Sequence, residues 1–600
     1  MAIRLTPLSK VLVILGVAGL GFAGMKLFGG KVTDELVPGA KTQESVVPQK
    51  ADLPSLNQSS GGGVAALPLP GAEPGCTDKP EVRFLHWAWN AQAGMMFANG
   101  GKQATKGSLM CDNGVNLKLT REDDVGKMQE NLVAFATALS KGEANPTVGA
   151  HFVAIMGDGS ASFLQGLNET LTRLGPEYRA KVVGSAGYSR GEDKFMGLPA
   201  WKTNPSASRG GLVAGYLRDG DWNIAQKWLG DNGLCNNPDE KTWDPNCLNW
   251  VAANDYIDAA EKYISGYCED RPVVNKGKRT GEKKKVCVEG VVTWTPGDVN
   301  VAQKKGGLVS IVSTKEYSAQ MPNTIIGIDK WMSANRSTVE GMLNAIFTAG
   351  DQIKTHPEAL RKAAEISAQV YNEADADYWV KYFNVVVEKD KQGMDVELGG
   401  SSVNNLADNL YTFGLTQGSA NLFATTYSVF ADIVKQQYPD LMPRYDNAKL
   451  VLDTSYVEAL AQKQAPVTKA DVPTFQPEQK IKEVVSRKAW QITFDSGKAT
   501  FTPDAKATLE QLTRDLLVAS NAMVEIHGHT DAQGNPLANM SLSEERAFAV
   551  KQYLETNNPA NFPTGRLRVF SHGQENPLAP NSTPQGRAQN RRVEIVLGTE

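Results

Sequence analysis

The sequence predicts an α/β protein with two folded units behind an apolar N-terminal segment. Short apolar strands alternate with helical patterns from residue 80 onward, which is typical of sheets with crossover helices. A proline-rich segment at residues 464–479 precedes a second, shorter series of strands and helices. Because 600 residues are too many for one ordinary domain, two or three folded units are expected.

The charge balance argues against one class of partner. Lysine and arginine total 62 against 66 acidic residues, which gives a net charge of −4. Nucleic-acid binding through a basic surface is therefore not expected.

Residues 1–28 are predicted to be a transmembrane signal anchor. Arg4 and Lys10 flank the apolar run 11–28, which has about the minimum length that spans a bilayer. The positive-inside rule keeps the start of the chain in the cytoplasm and places the rest in the periplasm. A single-pass inner-membrane protein with one N-terminal transmembrane helix is expected. A cleaved signal peptide is the alternative, since residues 21–23 are small enough for a cleavage site.

Residues 29–79 are predicted to be a flexible linker. They are rich in Gly, Pro, Ser and Gln, and such a segment cannot bury enough apolar surface to fold alone. A coil of this length spans roughly 40 Å on average.

Six cysteines follow the apolar run, at positions 76, 111, 235, 247, 268 and 287. Their even number and the absence of a Cys-x-x-Cys pair favour an oxidising compartment with up to three disulfides. Pairing of neighbours is the simplest of the fifteen connectivities, namely Cys76 with Cys111, Cys235 with Cys247 and Cys268 with Cys287. Reduced, buried cysteines are the alternative.

The strands and helices of the first unit are predicted from hydrophobic periodicity. Strands are expected at residues 82–87, 148–156, 179–185, 291–294 and 307–312, and helices at 123–139, 338–349 and 357–371. This alternation predicts parallel sheets in two lobes. The basic segment 275–285 has two interpretations, a patch for an acidic partner or the solvated tip of a disulfide-closed hairpin.

Residues 80–462 resemble type II periplasmic substrate-binding proteins of the nitrate, sulfonate and thiamine-precursor kind. The resemblance is carried by Trp87 and Trp89 after the first strand, by the Gly157–Ser160 turn, and by the segments 219–223 and 294–298. It implies a two-lobed periplasmic-binding-protein-like domain with a small solute as ligand. A membrane protein that receives the solute in transport, or responds to it in sensing, is a candidate partner.

In two-lobed α/β binders the ligand lies between the lobes, at the carboxyl ends of the strands. The candidate solute-binding residues are Trp87, Asn90, Ser160, Tyr188, Arg190, Asp221, Trp222, Trp294 and Asp298. Each has a structural alternative. The tryptophans could be core or hinge packing, Asp219 or Asp221 could cap a helix, and Asp298 could be a turn residue.

After the linker 463–480, residues 481–600 are predicted to form a small α/β sandwich. Strands are expected at residues 489–494, 523–529, 567–572 and 592–597, with a helix after each of the first three. Thr502 as the cap and Pro503 at the first position predict the start of the first helix. Ser541 and Glu544 fit a capping box, which would place Arg546 about a turn and a half inside the next helix.

Residues 492–597 resemble an OmpA-like peptidoglycan-binding domain. The matching pieces are residues 492–494, 528–531, 539, 542–543, 546–547, 586–588 and 590–594. The resemblance implies that Asp531 and Arg546 hold the ammonium and carboxylate ends of diaminopimelate in the peptidoglycan stem peptide. An arginine fork suits a carboxylate better than a lysine does. The other expected contacts are Thr530, Asn539, Leu542, Ser543, Arg587 and Arg591.

Two alternatives for this motif stay open, and catalysis is not expected anywhere in the chain. Asp531 and Arg546 could pair with each other as a surface salt bridge. His527, His529 and Asp531 alternate, so they could share one face of a strand as zinc ligands. No Gly-x-Ser-x-Gly elbow or other catalytic constellation is present in the sequence, and no cofactor is predicted.

The combined features predict a membrane-anchored periplasmic protein that binds peptidoglycan through its C-terminal domain. The expected partners are peptidoglycan and the inner membrane, with a small solute at the central domain. The alternatives are a solute-capture component of a transport or sensing system, and an envelope scaffold whose central domain docks a protein.

Overall fold

The computed structural model describes residues 67–600 except Asp219 and Lys276. All of these residues belong to the same unit, Pro48–Glu600. The predicted anchor at 1–28 and most of the predicted linker at 29–79 lie outside the described residues. Within the described part, no helix combines the length and apolar character needed to cross a membrane.

The region before residue 464 contains fourteen described strands and sixteen described α-helices. The strands are β1 (Glu81–His86), β2 (Asn116–Arg121), β3 (Phe152–Met156), β4 (Ala180–Ser189), β5 (Lys194–Gly197), β6 (Leu212–Gly215), β7 (Asn249–Ala252), β8 (Cys268–Asn275), β9 (Lys278–Thr293), β10 (Val309–Ser313), β11 (Pro322–Ile328), β12 (Val386–Lys389), β13 (Asp395–Leu398) and β14 (Ser401–Val403). The helices are α1 (Ala93–Asn99), α2 (Leu109–Asp112), α3 (Val125–Ser140), α4 (Ser160–Leu171), α5 (Pro199–Thr203), α6 (Gly220–Asp231), α7 (Tyr256–Ile264), α8 (Gly297–Lys304), α9 (Asp329–Ala334), α10 (Arg336–Thr355), α11 (Pro357–Tyr371), α12 (Ala376–Lys381), α13 (Leu406–Thr412), α14 (Leu422–Gln437), α15 (Ala448–Val451) and α16 (Ser455–Lys463).

Two sheets form the two lobes. The first lobe contains a six-stranded sheet in the order β14-β4-β11-β3-β1-β2, and the second contains the order β10-β5-β9-β6-β7. The prediction of parallel sheets is wrong in part. Strand β1 is parallel to β2 and β3, and β6 is parallel to β7 and β9, but β11 is antiparallel to both β3 and β4. The chain crosses between the lobes and returns, so β11 enters the first sheet from the opposite end.

Three of the segments that cross between the two lobes are together called the hinge: residues 190–193, 314–321 and 399–400. The backbone N–H groups of Arg190 and Glu192 both donate to the carbonyl of Gly400, each at 2.9 Å. Gly191 N donates to Thr314 Oγ1 at 2.8 Å. The crossings are therefore bonded to one another as well as to the lobes.

The basic segment is the exposed end of the β8–β9 hairpin. Cys268 lies directly opposite Cys287 in this antiparallel pair, and the two are disulfide-bonded. The side chains of residues 278–285 are exposed. This geometry agrees with the hairpin interpretation of the segment. The other disulfides join Cys76 to Cys111 and Cys235 to Cys247, so the structure has the neighbour pairing that was expected.

The C-terminal domain has four strands and three helices. They are β15 (Glu483–Trp490), α17 (Ala505–Val518), β16 (Met523–Gly528), α18 (Pro536–Asn557), β17 (Leu567–Ser571), α19 (Pro584–Asn590) and β18 (Val593–Thr599). The sheet order is β15-β18-β16-β17, with β16 parallel to β17 and antiparallel to β18. The helices alternate with these strands along the chain, as predicted for an α/β sandwich.

The boundaries near the first strand and helix differ from the prediction. Strand β15 ends at Trp490, because the following apolar residues form a separate turn in which Phe494 bridges to Phe501. Helix α17 begins at Ala505, two residues after the predicted Pro503, and the Thr502 carbonyl accepts a hydrogen bond from Ala505 N.

The predicted capping box of the second helix is wrong. Helix α18 begins at Pro536, and the Asn535 side chain accepts hydrogen bonds from the backbone N–H groups of residues 537 and 538. Ser541 lies inside the helix and donates to the carboxylate of Glu545 at 3.1 Å. Arg546 is consequently about three turns into the helix rather than one and a half.

The ion pair between Lys194 and Asp298 predicts a stability effect in the second lobe. The two groups are 2.6 Å apart and almost fully buried. Replacing one partner of such a pair leaves a buried charge without compensation, so Lys194→Met should lower the free energy of unfolding by about 3–5 kcal/mol. Urea titration measures this change.

The exposed pair Lys389–Asp395, at 2.8 Å, provides the matched control. Lys389→Met should change the free energy of unfolding by less than about 1 kcal/mol, because solvent screens the exposed pair. Equal effects of the two substitutions would contradict the assigned role of the buried pair.

Candidate functional site

Asp531 lies in the loop that follows strand β16. Its Oδ2 is 2.6 Å from Arg591 Nη1, and its Oδ1 accepts a hydrogen bond from Gln533 N at 3.0 Å. Within the described residues its ion pair is with Arg591, so the alternative in which Asp531 pairs with Arg546 does not describe this structure. The carboxylate is held in place from the protein side.

Arg546 projects from helix α18 and is mostly buried. Its Nε donates to the Lys498 carbonyl at 3.0 Å, and its guanidinium lies 5.0 Å from the centre of the Phe494 ring. Burial and the neighbouring Arg591 lower the pKa of Arg546, while Asp531 opposes that shift. The three charged groups therefore share one electrostatic environment. In the described part of the chain, Nε is the guanidinium nitrogen with a hydrogen bond, which leaves the terminal nitrogens for a ligand carboxylate.

Thr530, Asn539 and Ser543 fix the loop against the helix. Asn539 Nδ2 donates to the carbonyls of Asp531 and Gln533, at 3.2 and 3.0 Å. Thr530 N donates to the Gly573 carbonyl at 2.7 Å, and Gly573 N donates to Ser543 Oγ at 2.9 Å. The position of Asp531 is thus determined by α18 and by the segment after β17.

The remaining predicted contacts surround this loop. Leu542 is half-buried on α18. Arg587 donates through Nη1 to the Asn581 carbonyl at 2.9 Å, and Asn581 Oδ1 accepts from Ala532 N at 3.1 Å. Arg587 therefore acts on the loop through Asn581, whereas Arg591 contacts Asp531 directly. The sequence motif did not indicate Phe494 and Lys498 as the groups beneath Arg546.

The histidines near the motif stack their rings on one another and do not surround a common point as metal ligands would. The rings of His529 and His572 are parallel, with centres 4.7 Å apart, and His527 stacks on His572 at 5.1 Å. His527 Nδ1 lies 2.8 Å from His572 Nε2. No group of three or more potential ligands is arranged to hold a metal among the described residues.

Trp87 and Trp294 meet where the two lobes touch. Their rings are 6.2 Å apart in an edge-to-face arrangement, and both are buried. Trp294 Nε1 donates to the Ala88 carbonyl of the other lobe at 3.4 Å, and Tyr256 stacks on Trp294 at 3.8 Å. The lobes are closed in this structure, with the indoles filling this part of the crevice.

The other predicted solute contacts are distributed over several environments. Asn90 is buried and donates to the Trp379 carbonyl at 3.3 Å. Ser160 Oγ bonds to the Met156 carbonyl at 3.0 Å, and Trp222 packs on Trp250. Asp298 is the partner of the Lys194 ammonium group, and Asp221 is buried in the first turn of α6. Ser160, Trp222 and Asp298 are therefore engaged in the packing of their own lobes.

Tyr188 and Arg190 lie at the hinge, next to the C-terminal domain. The Arg190 guanidinium is 4.1 Å from the centre of the Tyr188 ring, and Arg190 Nη1 donates to the Ser318 carbonyl. Burial raises the pKa of Tyr188 to about 12. A cavity of about 20 Å³ beside them is also lined by Ser520 and Asn521 of the C-terminal domain, and it has room for about one water molecule.

Two buried acidic residues in the hinge were missed by the sequence analysis. Burial raises the pKa of Glu192 well above its ordinary value, and the neighbouring Asp193 adds to this shift. Burial also raises the pKa of Asp193 to about 6. The pattern Ser-Arg-Gly-Glu-Asp-Lys looks like a solvated turn, so nothing in the sequence indicated that these carboxyl groups would be buried between the lobes.

The fold and the charged loop define the C-terminal domain as an OmpA-family domain. Residues 493–591 match the OmpA family. The domain is 41% identical over 106 residues to the probable lipoprotein YiaD of Escherichia coli K12, which corresponds to 18% of this chain and 47% of YiaD. It is 37% identical over 106 residues to the peptidoglycan-binding protein ArfA of Mycobacterium tuberculosis, which corresponds to 18% of this chain and 32% of ArfA.

One solved structure is similar over a larger share of the chain. The periplasmic nitrate-binding protein NrtA from Synechocystis PCC 6803 is similar over 65% of this chain and 92% of NrtA, with 10% identity and a TM-score of 0.43. The chain spans less than two thirds of the length of each of the first curated relatives that it matches.

The stacked histidines predict a pH effect on stability. Burial is the largest influence on the pKa of His529 and lowers it to about 4, from about 6.5 in an unfolded chain. Between these values the unfolded chain binds more protons, so the stability contributed by His529 is complete above about pH 6.5 and is lost as the pH falls towards 4.

Replacement of His529 by glutamine removes this proton linkage. Relative to pH 7, the free energy of unfolding at pH 5 should fall by about 1–2 kcal/mol more in the wild type than in His529→Gln. Urea titrations at both pH values measure the difference. The same pH dependence in both proteins would show that His529 keeps an ordinary pKa in the folded chain.

Proposed function

We propose that this chain is a periplasmic protein that binds peptidoglycan through Asp531 and Arg546. Asp531 accepts the ammonium group of a diaminopimelate residue, and Arg546 donates to its carboxylate. The membership of the domain in the OmpA family supports this function. The N-terminal segment anchors the chain in the inner membrane, so the protein links that membrane to the cell wall.

The position of Arg546 is the observation that carries the proposal. Its guanidinium is supported by Phe494 and by the Lys498 carbonyl, and it shares an environment with Asp531. Arg591 already occupies one oxygen of Asp531, so the domain presents an oriented carboxylate rather than a mobile one. Fixed groups of opposite charge suit a zwitterionic end, because the binding energy is not spent on ordering them.

Binding to purified sacculi tests this assignment. Asp531→Ala and Arg546→Ala should each reduce the retained fraction strongly, because each removes one charged partner of the ligand. Loss of a hydrogen bond to a charged group typically costs about 1.5–3 kcal/mol, or roughly tenfold to a hundredfold in affinity. Co-sedimentation with sacculi measures the retained fraction.

Arg546→Lys should also bind weakly, because lysine lacks the planar fork. Asp504→Ala and Lys506→Ala are matched controls. Both residues are exposed on the same domain, and both substitutions should leave retention unchanged. Equal retention of the wild type and the two site variants would rule out the proposed peptidoglycan contacts.

A second function is proposed for the central domain, namely capture of a small polar solute between the lobes. Its support is the closed interface between the lobes, which contains the buried indoles of Trp87 and Trp294 and, at the hinge, the buried acids Glu192 and Asp193. Aromatic walls with a few buried polar groups are typical of small-molecule sites. In the alternative, the same domain docks a protein partner and takes no solute.

Thermal-shift screening of the full chain discriminates between these alternatives. At a concentration one hundred times its dissociation constant, a solute should add about 2.7 kcal/mol of stability. Trp294→Ala should abolish the shift, whereas Trp243→Ala, at a tryptophan of the second lobe outside the lobe contact, should preserve it. An absence of shifts among amino acids, small anions, small cations and muropeptides would favour the protein-docking function.

A further inference from the structure

The C-terminal domain is docked directly on the hinge. Ala319 N donates to the Val518 carbonyl at 3.0 Å, and Asn521 N donates to Ser318 Oγ at 2.9 Å. The hydroxyl groups of Ser318 and Ser520 are also 2.9 Å apart. Ser318, Ala319 and Ser520 are all buried. Residues 518–521 therefore pack against a segment through which the two lobes are joined.

A second contact joins the C-terminal domain to the second lobe. Lys227 of helix α6 is buried, with its ammonium group 3.0 Å from Asp231 and 3.9 Å from Asp515 of helix α17. Asn232 Nδ2 donates to the Val485 carbonyl of β15 at 3.4 Å. Because Lys227 is out of solvent, its charge depends on carboxylates from both domains.

A third contact joins the C-terminal domain to the first lobe. Asn561 Oδ1 accepts from Ala420 N at 2.7 Å, and Asn561 Nδ2 donates to Tyr411 Oη at 2.9 Å. Ala560 N donates to the Gly418 carbonyl at 3.1 Å. Helix α13, which carries Tyr411, is itself hydrogen-bonded to strand β4 of the first lobe.

The apolar packing is continuous across this docked interface. Buried side chains of both lobes and of the C-terminal domain belong to one hydrophobic cluster. The packing is interrupted by a groove of about 440 Å³ between helices α6 and α14 on one side and the residues Lys488, Gln511 and Arg514 on the other. The docked domain is thus held at three separate places, and the groove lies beside one of them, the contact of Lys227 with Asp515.

We propose that the C-terminal domain acts as a clasp that holds the two lobes closed. It contacts the first lobe, the second lobe and the hinge, and a rotation of one lobe relative to the other cannot preserve all three contacts. Opening of the crevice therefore requires this domain to shift. The clasp goes beyond the proposed function, because its contacts do not include Asp531 or Arg546.

The clasp also connects the crevice to the Asp531 loop through a short path. Residues 518–521 lead directly into β16, and Asp531 is the third residue after that strand ends. A shift at the hinge is therefore transmitted to the strand that positions the charged loop. Such a coupling is reciprocal, so a ligand at the loop that favours the docked domain also favours closed lobes.

A cysteine pair at the hinge contact tests the clasp in the full chain. The side chains of Ser318 and Ser520 already touch, so Ser318→Cys with Ser520→Cys should form a disulfide under oxidising conditions. All six native cysteines form disulfides, so the two introduced cysteines are the ones available to form a new disulfide. The single variants are the controls for each substitution.

Hydrogen exchange of the crossing segments 189–194 and 314–321 measures opening. In the oxidised double variant, exchange of these amides should be about tenfold slower than in its reduced form, because opening is prevented. Acrylamide quenching of tryptophan fluorescence should fall in parallel. Failure to cross-link, or identical exchange in the oxidised and reduced forms, would overturn the clasp.

A variant that weakens the docked contact tests the opposite effect, namely faster opening of the lobes. Asn561→Arg places a long charged side chain in the buried contact with the first lobe and should speed exchange of the crossing segments by about tenfold. Asn557→Arg, on the exposed end of helix α18, is the matched control and should have no effect. Undocking without faster exchange would contradict the clasp.

Sacculus retention of the same proteins separates the two proposals. If the wild type fails to bind sacculi but the cysteine lock slows exchange, the wall-binding function is wrong and the clasp holds. If the wild type binds sacculi but the cysteine lock does not change the exchange rates, the wall-binding function holds and the clasp is wrong.

Discussion

The bonded hinge is the constraint on which the rest of the structure depends. Its three crossings come from distant parts of the chain, yet the Gly400 carbonyl accepts from both Arg190 and Glu192, and Thr314 Oγ1 accepts from Gly191. Each lobe is built on one of the sheets that these crossings join. The C-terminal domain is docked on the same place. The lobe arrangement and the closed crevice therefore depend on this one set of hydrogen bonds, and the docked C-terminal domain contacts the same segments.

Asp531 and Arg546 are both held rigidly, but by different kinds of contact. Asp531 uses one oxygen for Arg591 and the other for a backbone N–H of its own loop. Arg546 is supported by an aromatic ring and a carbonyl, neither of which carries a formal charge. Among the described residues, the Arg546 guanidinium consequently has no ion pair. A direct pair between Asp531 and Arg546 would have consumed both groups.

Local sequence patterns predicted which strands and helices are present better than they predicted strand directions or element boundaries. The strands at residues 523–529 and 567–572 were predictable, because apolar runs with turn residues at both ends determine them. The antiparallel entry of β11 was not predictable, since it follows from where the chain returns across the hinge. The helix start at Pro536 was missed because Ser541 and Glu544 also fit a cap, and only packing selects between two such signals.

The candidate functional residues show the same difference between features that a local motif encodes and features that depend on distant parts of the chain. Asp531 and Arg546 could be proposed from the sequence because their motif is local and ordered, and their role in binding stays a prediction. In the crevice, a tryptophan after a strand is compatible with either a ligand wall or lobe packing, and Trp222 proved to pack on Trp250. Glu192 and Asp193 were missed because burial of an acidic turn depends on the approach of the second lobe, which has no local signature.

The segment expected to be a linker between the domains has a different mechanical role. Thr468 Oγ1 donates to Asp351 at 2.5 Å, and Asp471 N donates to Asp408 Oδ1 at 2.7 Å, so this part of the chain is bound to the surface of the first lobe. A segment that is bound to the protein surface in this way cannot extend as a flexible linker would. The described end of the other predicted linker, 29–79, is attached to the first lobe as well, because Gly71 N donates to the Lys106 carbonyl at 3.0 Å and Cys76 is disulfide-bonded to Cys111. Under the proposed function, a pull on the C-terminal domain would therefore act first on its docked interface with the hinge.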